Sequence, residues 1–422
     1  MKKGVLILLV ALLALAGGFW LRLRGQTEPT VVPEVIPEWI EELNPDNALS
    51  SLPEMDAAVD SFMNFWSLHG LSLAVMRNDS LLYARGYGKA DASTPMTPGT
   101  TLRLASVSKL LTAIGIMRLQ EEGRLNLETP VFGPFGILKE YDSCIRDDNY
   151  YLITVGQLLR HQGGFSQRGG DVMFSTLKFM RNHGLSAPPS SDFLVRKELG
   201  RRLAFEPGTS HEYSNFGYLL LSLIIEKASG MSYNDYMQTR VFAPARCHNF
   251  RLGGDYLKDR LPGESRYYTQ ADDPKVPSFD GKYAQVDRPY GGNYISGLYG
   301  AGGWTGSTVE LARLVASIDG RGPVPDLLEP FSVRQMTVYY DDDTYALGWL
   351  DCRPDGEWTR TGSFAGTSAL IKTFPDGQCW VLVTNTSTWR GSRFSRNTSA
   401  LVRNLRSRFS AQLPSRDLFR SN

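Results

Sequence analysis

Cysteine and histidine are scarce in this sequence of 422 residues, and its net charge is close to zero. The four cysteines include no Cys-x-x-Cys pair, which excludes a zinc site of the usual kind, and we expect buried free thiols in preference to disulfides. The formal net charge is +1, so the composition gives no reason to expect a nucleic-acid partner. A hydrophobic content of 42% suffices for a substantial core, in one large domain or two interleaved ones.

Long uncharged apolar runs are also scarce, and the one at the N-terminus predicts a membrane segment. Lys2 and Lys3 open residues 1–21, which are otherwise apolar and predict either a membrane anchor or an export signal. An Ala-Leu-Ala triplet suits signal peptidase, whereas Phe19 and Trp20 favour an anchor that is not cleaved. Either alternative places the rest of the chain in the periplasm or outside the cell, membrane-anchored or secreted.

Evenly spaced prolines follow this segment. Pro29, Pro33 and Pro37 predict an extended, stiff tether instead of a packed element. We divide the chain into the membrane segment (1–21), the tether (22–50), a globular part (51–412, with 51–103 and 300–412 forming a sheet part and 104–299 a helical and loop-rich part) and a tail (413–422).

Hydrophobic periodicity predicts the elements of the globular part. An amphipathic helix over 55–66 precedes two strands that are joined by a turn at Asn78-Asp79. Ser307 and Glu310 form a capping-box pattern, and the last helix, 401–409, carries arginines on its outer face. We expect that face to be solvated, with an anionic membrane surface as the alternative. The predicted strands cover 71–76, 81–87, 345–350, 357–361, 369–374 and 379–384.

A serine and a lysine three residues apart begin the apolar run 104–113. Residues at i and i+3 share one face of a helix, so Ser106 and Lys109 are expected to lie close together. Burial disfavours a charged ammonium, and a lysine whose pKa is lowered in this way can activate a serine hydroxyl. A chain of this length contains roughly one or two such pairs by chance. The second pair, Ser175 and Lys178, has no long apolar helix behind it, and we interpret it as coincidental.

Two further segments carry side chains that suit the same chemistry. Tyr213 and Asn215 lie two apart in a loop before an apolar helix, so both can face one cleft. A tyrosine beside an ammonium can carry protons between a nucleophile and a leaving group, and the amide can orient the lysine or a substrate carbonyl. In the third segment, Arg360-Thr361-Gly362-Ser363, the glycine allows close approach, and the N–H groups of Ser363 and Ser106 could form an oxyanion hole.

Taken in this order, the three segments resemble the serine beta-lactamase and penicillin-binding protein superfamily, in its class C beta-lactamase-like branch of esterases, D-aminopeptidases and D-Ala-D-Ala carboxypeptidases. The resemblance implies that Ser106 is acylated with help from Lys109 and Tyr213. It also implies an α+β, beta-lactamase/transpeptidase-like fold: an antiparallel sheet flanked by helices, with an inserted, mainly helical part. It implies neither metal nor cofactor. Supporting segments are 158–164, 205–218, 302–304 and 347–349.

The third motif departs from the superfamily pattern, which has lysine or histidine where this chain has Arg360. Arginine keeps the positive charge but does not release a proton. We therefore expect Arg360, Thr361 and Gly362 to bind substrate together with Asn215, and Arg360 to favour a substrate that bears a carboxylate. A proton relay through Arg360 is not expected, and His161 is expected to be structural.

The predicted function is that of an extracytoplasmic serine hydrolase that forms an acyl-enzyme on an ester or amide. The expected partners are a small-molecule or peptide substrate and, through residues 1–21, a membrane; no protein partner is inferred. The alternative is a penicillin-binding or scaffold protein that retains the pocket without turnover.

Overall fold

A computed structural model describes residues 51–168, 170–339 and 345–419. The predicted membrane segment (1–21) and tether (22–50) lie outside the described residues. Within the described ranges, no helix has both the length and the apolar character needed to cross a membrane.

An antiparallel sheet of six strands forms the centre of the described chain. The strands of the chain are β1 (Gly70–Arg77), β2 (Ser80–Gly88), β3 (Leu102–Arg103), β4 (Arg251–Leu252), β5 (Val276–Pro277), β6 (Gln285–Val286), β7 (Trp304–Gly306), β8 (Asp351–Cys352), β9 (Trp358–Phe364), β10 (Thr367–Thr373) and β11 (Gln378–Thr384). The large sheet has the order β2-β1-β11-β10-β9-β8, so its N-terminal hairpin pairs with the C-terminal strands. A second sheet has the order β3-β7-β4, and β5 pairs with β6.

A tight turn joins the first two strands of the large sheet. Asn78 and Asp79 adopt φ values of +46° and +62°, which asparagine and aspartate tolerate better than most residues, and they join β1 to β2 as predicted. Across the β1–β11 pair, Leu71 lies opposite Thr384. The predicted strand at 345–350 is wrong: Gly348 has a φ of +81°, which interrupts an extended strand, and the first strand in this region is β8.

Helices cover both faces of the sheet. The α-helices are α1 (Pro53–Trp66), α2 (Ser108–Glu121), α3 (Val155–Leu159), α4 (Thr176–His183), α5 (Ser191–Glu198), α6 (Asn215–Ser229), α7 (Tyr233–Tyr236), α8 (Thr308–Ala316), α9 (Pro330–Met336) and α10 (Ser395–Phe409). A π-helix covers Met237–Phe242. The 3-10 helices are Ala105–Val107, Lys139–Cys144, Asp148–Leu152, Val172–Phe174, Leu257–Asp259, Ser296–Ala301, Gly391–Phe394 and Ser410–Gln412.

Burial on two faces explains why the central strands read as continuous apolar runs. Val381 and Val383 belong to the larger core, which includes side chains of α2 and α6. Leu370 and Leu382 point to the other face and join a smaller core with α1 and α10. The α2 helix, which carries the Ser-x-x-Lys motif, is therefore covered almost all round.

The cysteines, the Ser307 cap and the C-terminal tail were also predicted from the sequence. The cysteines are free thiols, and three of the four are buried. Ser307 caps the N–H of Glu310 as predicted, but the Glu310 carboxylate accepts the N–H groups of His248 and Asn249. The predicted tail is in part packed: Leu418 is buried and its N–H donates to the carbonyl of Leu81 in β2.

Candidate active site

Ser106 lies where a 3-10 turn becomes the α2 helix. The turn covers Ala105–Val107 and α2 follows at once, so the Ser106–Lys109 pair crosses the junction instead of lying within one α-helix. Ala105 has a φ of +49°, a conformation that non-glycine residues rarely adopt and that clusters at functional sites. Ser106 itself is half-buried, and its position at the N-terminal end of α2 favours negative charge on its oxygen.

Lys109 is fully buried and its amine is held by three acceptors. Its Nζ donates to Oδ1 of Asn215 at 2.6 Å, to the carbonyl oxygen of Ala301, and to Oγ of Ser106 at 3.4 Å. The amine also lies 4.8 Å from the ring centroid of Tyr213, where a cation is attracted by the aromatic face. The predicted proximity of Ser106 and Lys109 is therefore observed.

The loop before α6 brings a phenol and an amide to the same place. Ser214 is extended (φ −129°, ψ 118°) and caps α6 by accepting the N–H of Gly217, so its two neighbours point to one side. The Tyr213 hydroxyl donates to Oγ of Ser106 at 2.7 Å, and Asn215 contacts Lys109. Ser106, Lys109, Tyr213 and Asn215 thus form one hydrogen-bonded group.

The β9 strand contributes a buried cation and a glycine. Arg360 is 1% exposed, and its Nε donates to the carbonyl oxygen of Ser106 at 2.8 Å. Its second nitrogen lies 3.4 Å from the Tyr213 hydroxyl. We expected Arg360 to face a substrate carboxylate, but the structure places its guanidinium inside the site, against the nucleophile's own backbone. A Cβ on Gly362 would come within 2.3 Å of the Leu104 carbonyl, so only glycine fits there.

Charge and burial shift the pKa values of both groups that can accept the serine proton. Burial is the main reason that the pKa of Lys109 is lowered; Arg360 adds to this shift, and Tyr213 and Asp171 oppose it. Burial alone would raise the pKa of Tyr213, but the charges of Lys109 and Arg360 outweigh it, and the net pKa is lowered. Because the charge of Lys109 is what lowers the pKa of Tyr213, the two groups form one proton-accepting pair, in which one member at a time is deprotonated.

His161 supports the loop that carries Tyr213. Its Nδ1 accepts the N–H of Ser214 at 3.0 Å, and its ring lies 4.5 Å from that of Tyr213. Burial, with the charges of Lys109 and Arg360, lowers its pKa well below the ordinary value. A neutral imidazole held in this way positions the Tyr213 loop, as expected for a structural residue.

Sequence reasoning missed Asp171, which lies behind Asn215. Its Oδ2 accepts the Asn215 amide N–H, and its Oδ1 accepts the N–H of Met173 at 2.9 Å. Gln167 donates to the same carboxylate and to the carbonyl of Tyr213. A cavity of about 220 Å³ opens beside Asp171, Tyr213 and Asn215. An aspartate preceding a short helix is an ordinary capping pattern, so the sequence offered only a weak signal.

The remaining predicted residues lie at the edge of this group. Thr361 and Ser363 are partly exposed positions of β9, and Ser363 pairs with Ser368 in β10. The second Ser-x-x-Lys pair, Ser175 and Lys178, lies at the start of the short α4 helix, and Lys178 is exposed. Within the described residues, no group of histidine, cysteine and acidic side chains could hold a metal ion.

An α+β fold that brings a serine, a buried lysine and a tyrosine into contact is that of the beta-lactamase-like serine hydrolase superfamily. The sequence model of the Beta-lactamase family matches residues 55–404, and the chain belongs to this family.

Individual relatives differ in activity. A penicillin-binding protein of Bacillus subtilis (strain 168) is 33% identical over 195 residues, which cover 45% of this chain and 40% of that protein, so the match spans less than half of the relative's length. Esterase EstB of Burkholderia gladioli is 26% identical over 319 residues, covering 72% of this chain and 79% of the esterase. The D-amino acid amidase of Ochrobactrum anthropi SV3 shares the fold, with a TM-score of 0.66 and 21% identity over 85% of this chain and 99% of the amidase.

Proposed function

We propose that the protein is a serine hydrolase that cleaves an ester or amide through a covalent acyl-enzyme. The observation that carries the proposal is the convergence of Ser106 with two proton-accepting groups. Its hydroxyl lies 2.7 Å from the phenol of Tyr213 and 3.4 Å from the amine of Lys109. Both groups have pKa values lowered from their ordinary ranges.

Acylation begins with removal of the Ser106 proton by the Lys109–Tyr213 pair. The Ser106 oxygen forms a bond to the substrate carbonyl carbon, and the carbonyl electron pair moves to its oxygen. The N–H groups of Ser106 and Ser363 stabilise this oxyanion, and collapse of the intermediate breaks the bond to the leaving group. The leaving group takes the proton from Tyr213.

Deacylation repeats these steps with water. The same Lys109–Tyr213 pair removes a proton from a water molecule, whose oxygen attacks the ester carbonyl on Ser106. Collapse releases the carboxylic acid and returns the proton to the Ser106 oxygen. Arg360 holds the backbone of the nucleophile throughout and, as a permanent cation, takes no part in proton transfer.

The substrate class that we propose is a small ester or a D-amino-acid amide or peptide. Support comes from two relatives, one named as an esterase and the other as a D-amino acid amidase. We also propose that the chain acts outside the cytoplasm, on the basis of the lysines and apolar run at 1–21. The mass of the mature chain tests whether that segment is cleaved.

Removal of the nucleophile tests the proposal directly. Ser106→Ala is expected to lower the hydrolysis rate of a nitrophenyl short-chain ester at least about a thousand-fold, because no oxygen remains to accept the acyl group. Ser175→Ala, in the second Ser-x-x-Lys pair, should leave the rate within a few-fold. An unchanged rate in Ser106→Ala would refute the assignment.

A fluorescent penicillin separates turnover from simple binding. An enzyme should release hydrolysed product over many cycles, whether from this probe or from the nitrophenyl ester. A stable adduct on Ser106, with no turnover of either compound, would instead support the penicillin-binding alternative.

A further inference from the structure

Asp171 is tied to the reacting groups through one amide. Its carboxylate accepts the side-chain N–H of Asn215, whose Oδ1 in turn accepts the amine of Lys109 at 2.6 Å. Asn215 is buried and begins α6, so its side chain has little freedom to leave this position. The N–H of Met173 holds the other carboxylate oxygen, which fixes Asp171 as well.

The hydrogen-bond partners of the Asn215 side chain fix its orientation, because its oxygen accepts hydrogen bonds and its NH2 group donates them. A carboxylate only accepts hydrogen bonds, so Asp171 requires the N–H end of Asn215 to face it. The oxygen end must then face Lys109. A flipped amide would place oxygen against carboxylate and would aim its N–H groups at the lysine.

This orientation matters most when Lys109 is neutral. A neutral amine has two N–H donors and one lone pair. Because Asn215 Oδ1 and the Ala301 carbonyl are both acceptors, they occupy the two donors, and the lone pair is left for the Ser106 hydroxyl. With the amide flipped, the Asn215 N–H would bind the lone pair that has to receive the proton.

We propose that Asp171 is a positioning residue that locks the Asn215 amide so that the lone pair of neutral Lys109 points at Ser106. The inference rests on the proposed function, since it concerns how Ser106 is activated. The link from Asp171 to the reacting groups runs through Asn215, which contacts Lys109.

The variant Asp171→Asn tests whether Asp171 fixes the orientation of the Asn215 amide, with little change in side-chain size. Its amide can still cap Met173, but it then turns an N–H toward Asn215 and removes the reason for the native orientation. We expect the rate at which a fluorophosphonate labels Ser106 to fall about 10-fold to 100-fold. For a nitrophenyl ester, kcat should fall by a similar factor with KM nearly unchanged.

Asp147→Ala is the matched control. Asp147 also caps a short helix, through the N–H of Asn149, and accepts the N–H of Leu203, but it has no contact with Asn215. If loss of a loop cap were sufficient to slow labelling, this variant would be slow as well. We expect it to label at close to the wild-type rate.

A double-mutant cycle shows whether Asp171 acts through Asn215. Asn215→Ala should slow labelling, and adding Asp171→Ala in that background should change the maximal labelling rate of the pH profile less than two-fold, because the amide to be oriented is gone. A full additional loss in the double variant would overturn the proposal, as would wild-type labelling by Asp171→Asn. Melting curves confirm that each variant is folded, and if Asp171→Ala is not, Asp171→Asn replaces it in the cycle.

The pH profile supplies a readout that a general packing defect would not produce. The negative charge of Asp171 raises the pKa of Lys109, as Tyr213 does, whereas burial and the charge of Arg360 lower it. Asp171→Asn should therefore move the rise of labelling rate to lower pH while lowering its maximum, and a rise that stays in place or moves to higher pH would contradict the proposal. Labelling that is absent in the wild type would instead remove the proposed function, so the two failures are distinguishable.

Discussion

Arg360 places a permanent positive charge beside Lys109, Tyr213 and His161. Its guanidinium binds the Ser106 carbonyl, and its charge lowers the pKa values of Lys109, Tyr213 and His161. Arginine at this position therefore preserves the electrostatic effect that a lysine would have, while being unable to lose its proton. Its planar fork also grips the carbonyl through two nitrogens.

Replacing this charge should shift the pH dependence of catalysis. Arg360→Gln removes a cation that lowers the pKa values of both Lys109 and Tyr213, so both values rise. The rise of kcat/KM should move to higher pH, whichever group accepts the proton. Arg360→Lys, which keeps the charge, should leave it in place. The pH profile of ester hydrolysis measures both, and an equal shift in the two variants would contradict this account.

The reacting residues could be predicted from sequence because short spacings along the chain determine which side chains lie close together. Ser106 and Lys109 are close for local reasons, and Tyr213 and Asn215 share a side because Ser214 is extended. The hydrogen bond from Arg360 to the Ser106 carbonyl was not predicted, because the residue type indicates a charge but not which groups that charge contacts. Asp171 was missed because its contact with Asn215 depends on how a loop folds across 44 positions.

At the scale of elements, periodic segments were predictable and irregular ones were not. The hairpin, α2 and the amphipathic α10 follow from the spacing of their apolar residues. The apolar segment 345–350 predicts a strand, but its buried side chains pack in a loop that turns at Gly348. The outer arginines of α10 are expected to be solvated; Arg403 is exposed, and Arg403 and Arg406 also form ion pairs with Glu357 and Asp376.

The inner face of α10 should contribute strongly to stability. Leu405 is 0% exposed in the core between α10 and the sheet, so Leu405→Ala removes buried apolar surface and leaves a cavity. We expect the free energy of unfolding to fall by about 2–5 kcal/mol, measured by urea denaturation. Asn404→Ala, on the exposed face of the same helix, should stay within about 0.5 kcal/mol. Equal effects in the two variants would mean that α10 is not packed in this way.

On the scale of the whole molecule, acidic side chains join distant parts of the chain. Asp79, in the turn between β1 and β2, is 1% exposed and accepts the N–H of Val324. Asp319 lies beside it, and burial raises the pKa values of both carboxyl groups, to which their mutual repulsion adds for Asp319. The folded protein therefore holds protons on this pair more tightly than the unfolded chain does.

This pair should reduce stability as the pH rises. Its contribution is complete below the unfolded pKa, near 4, and is lost as pH rises through the raised folded values, because the folded state binds the extra protons. Asp319→Asn should therefore gain melting temperature relative to wild type between pH 5 and pH 8, with the difference growing with pH. Buried His161 acts in the opposite direction, so the comparison is made with wild type at each pH. Asp287→Asn, at an exposed position, should show no such trend.

The pairing of β1 with β11 has a consequence for biosynthesis. The first hairpin leaves the ribosome about 300 residues before its neighbour, counted from Leu71 and its partner Thr384. Until then, one edge of β1 is unpaired and can associate with other nascent chains. Chaperones that bind this edge would prevent such association. The site of Ser106 is also completed late, because Arg360, which donates a hydrogen bond to the Ser106 carbonyl, is translated in the last fifth of the chain. A truncated product would thus carry Ser106 without the charge that prepares it to react.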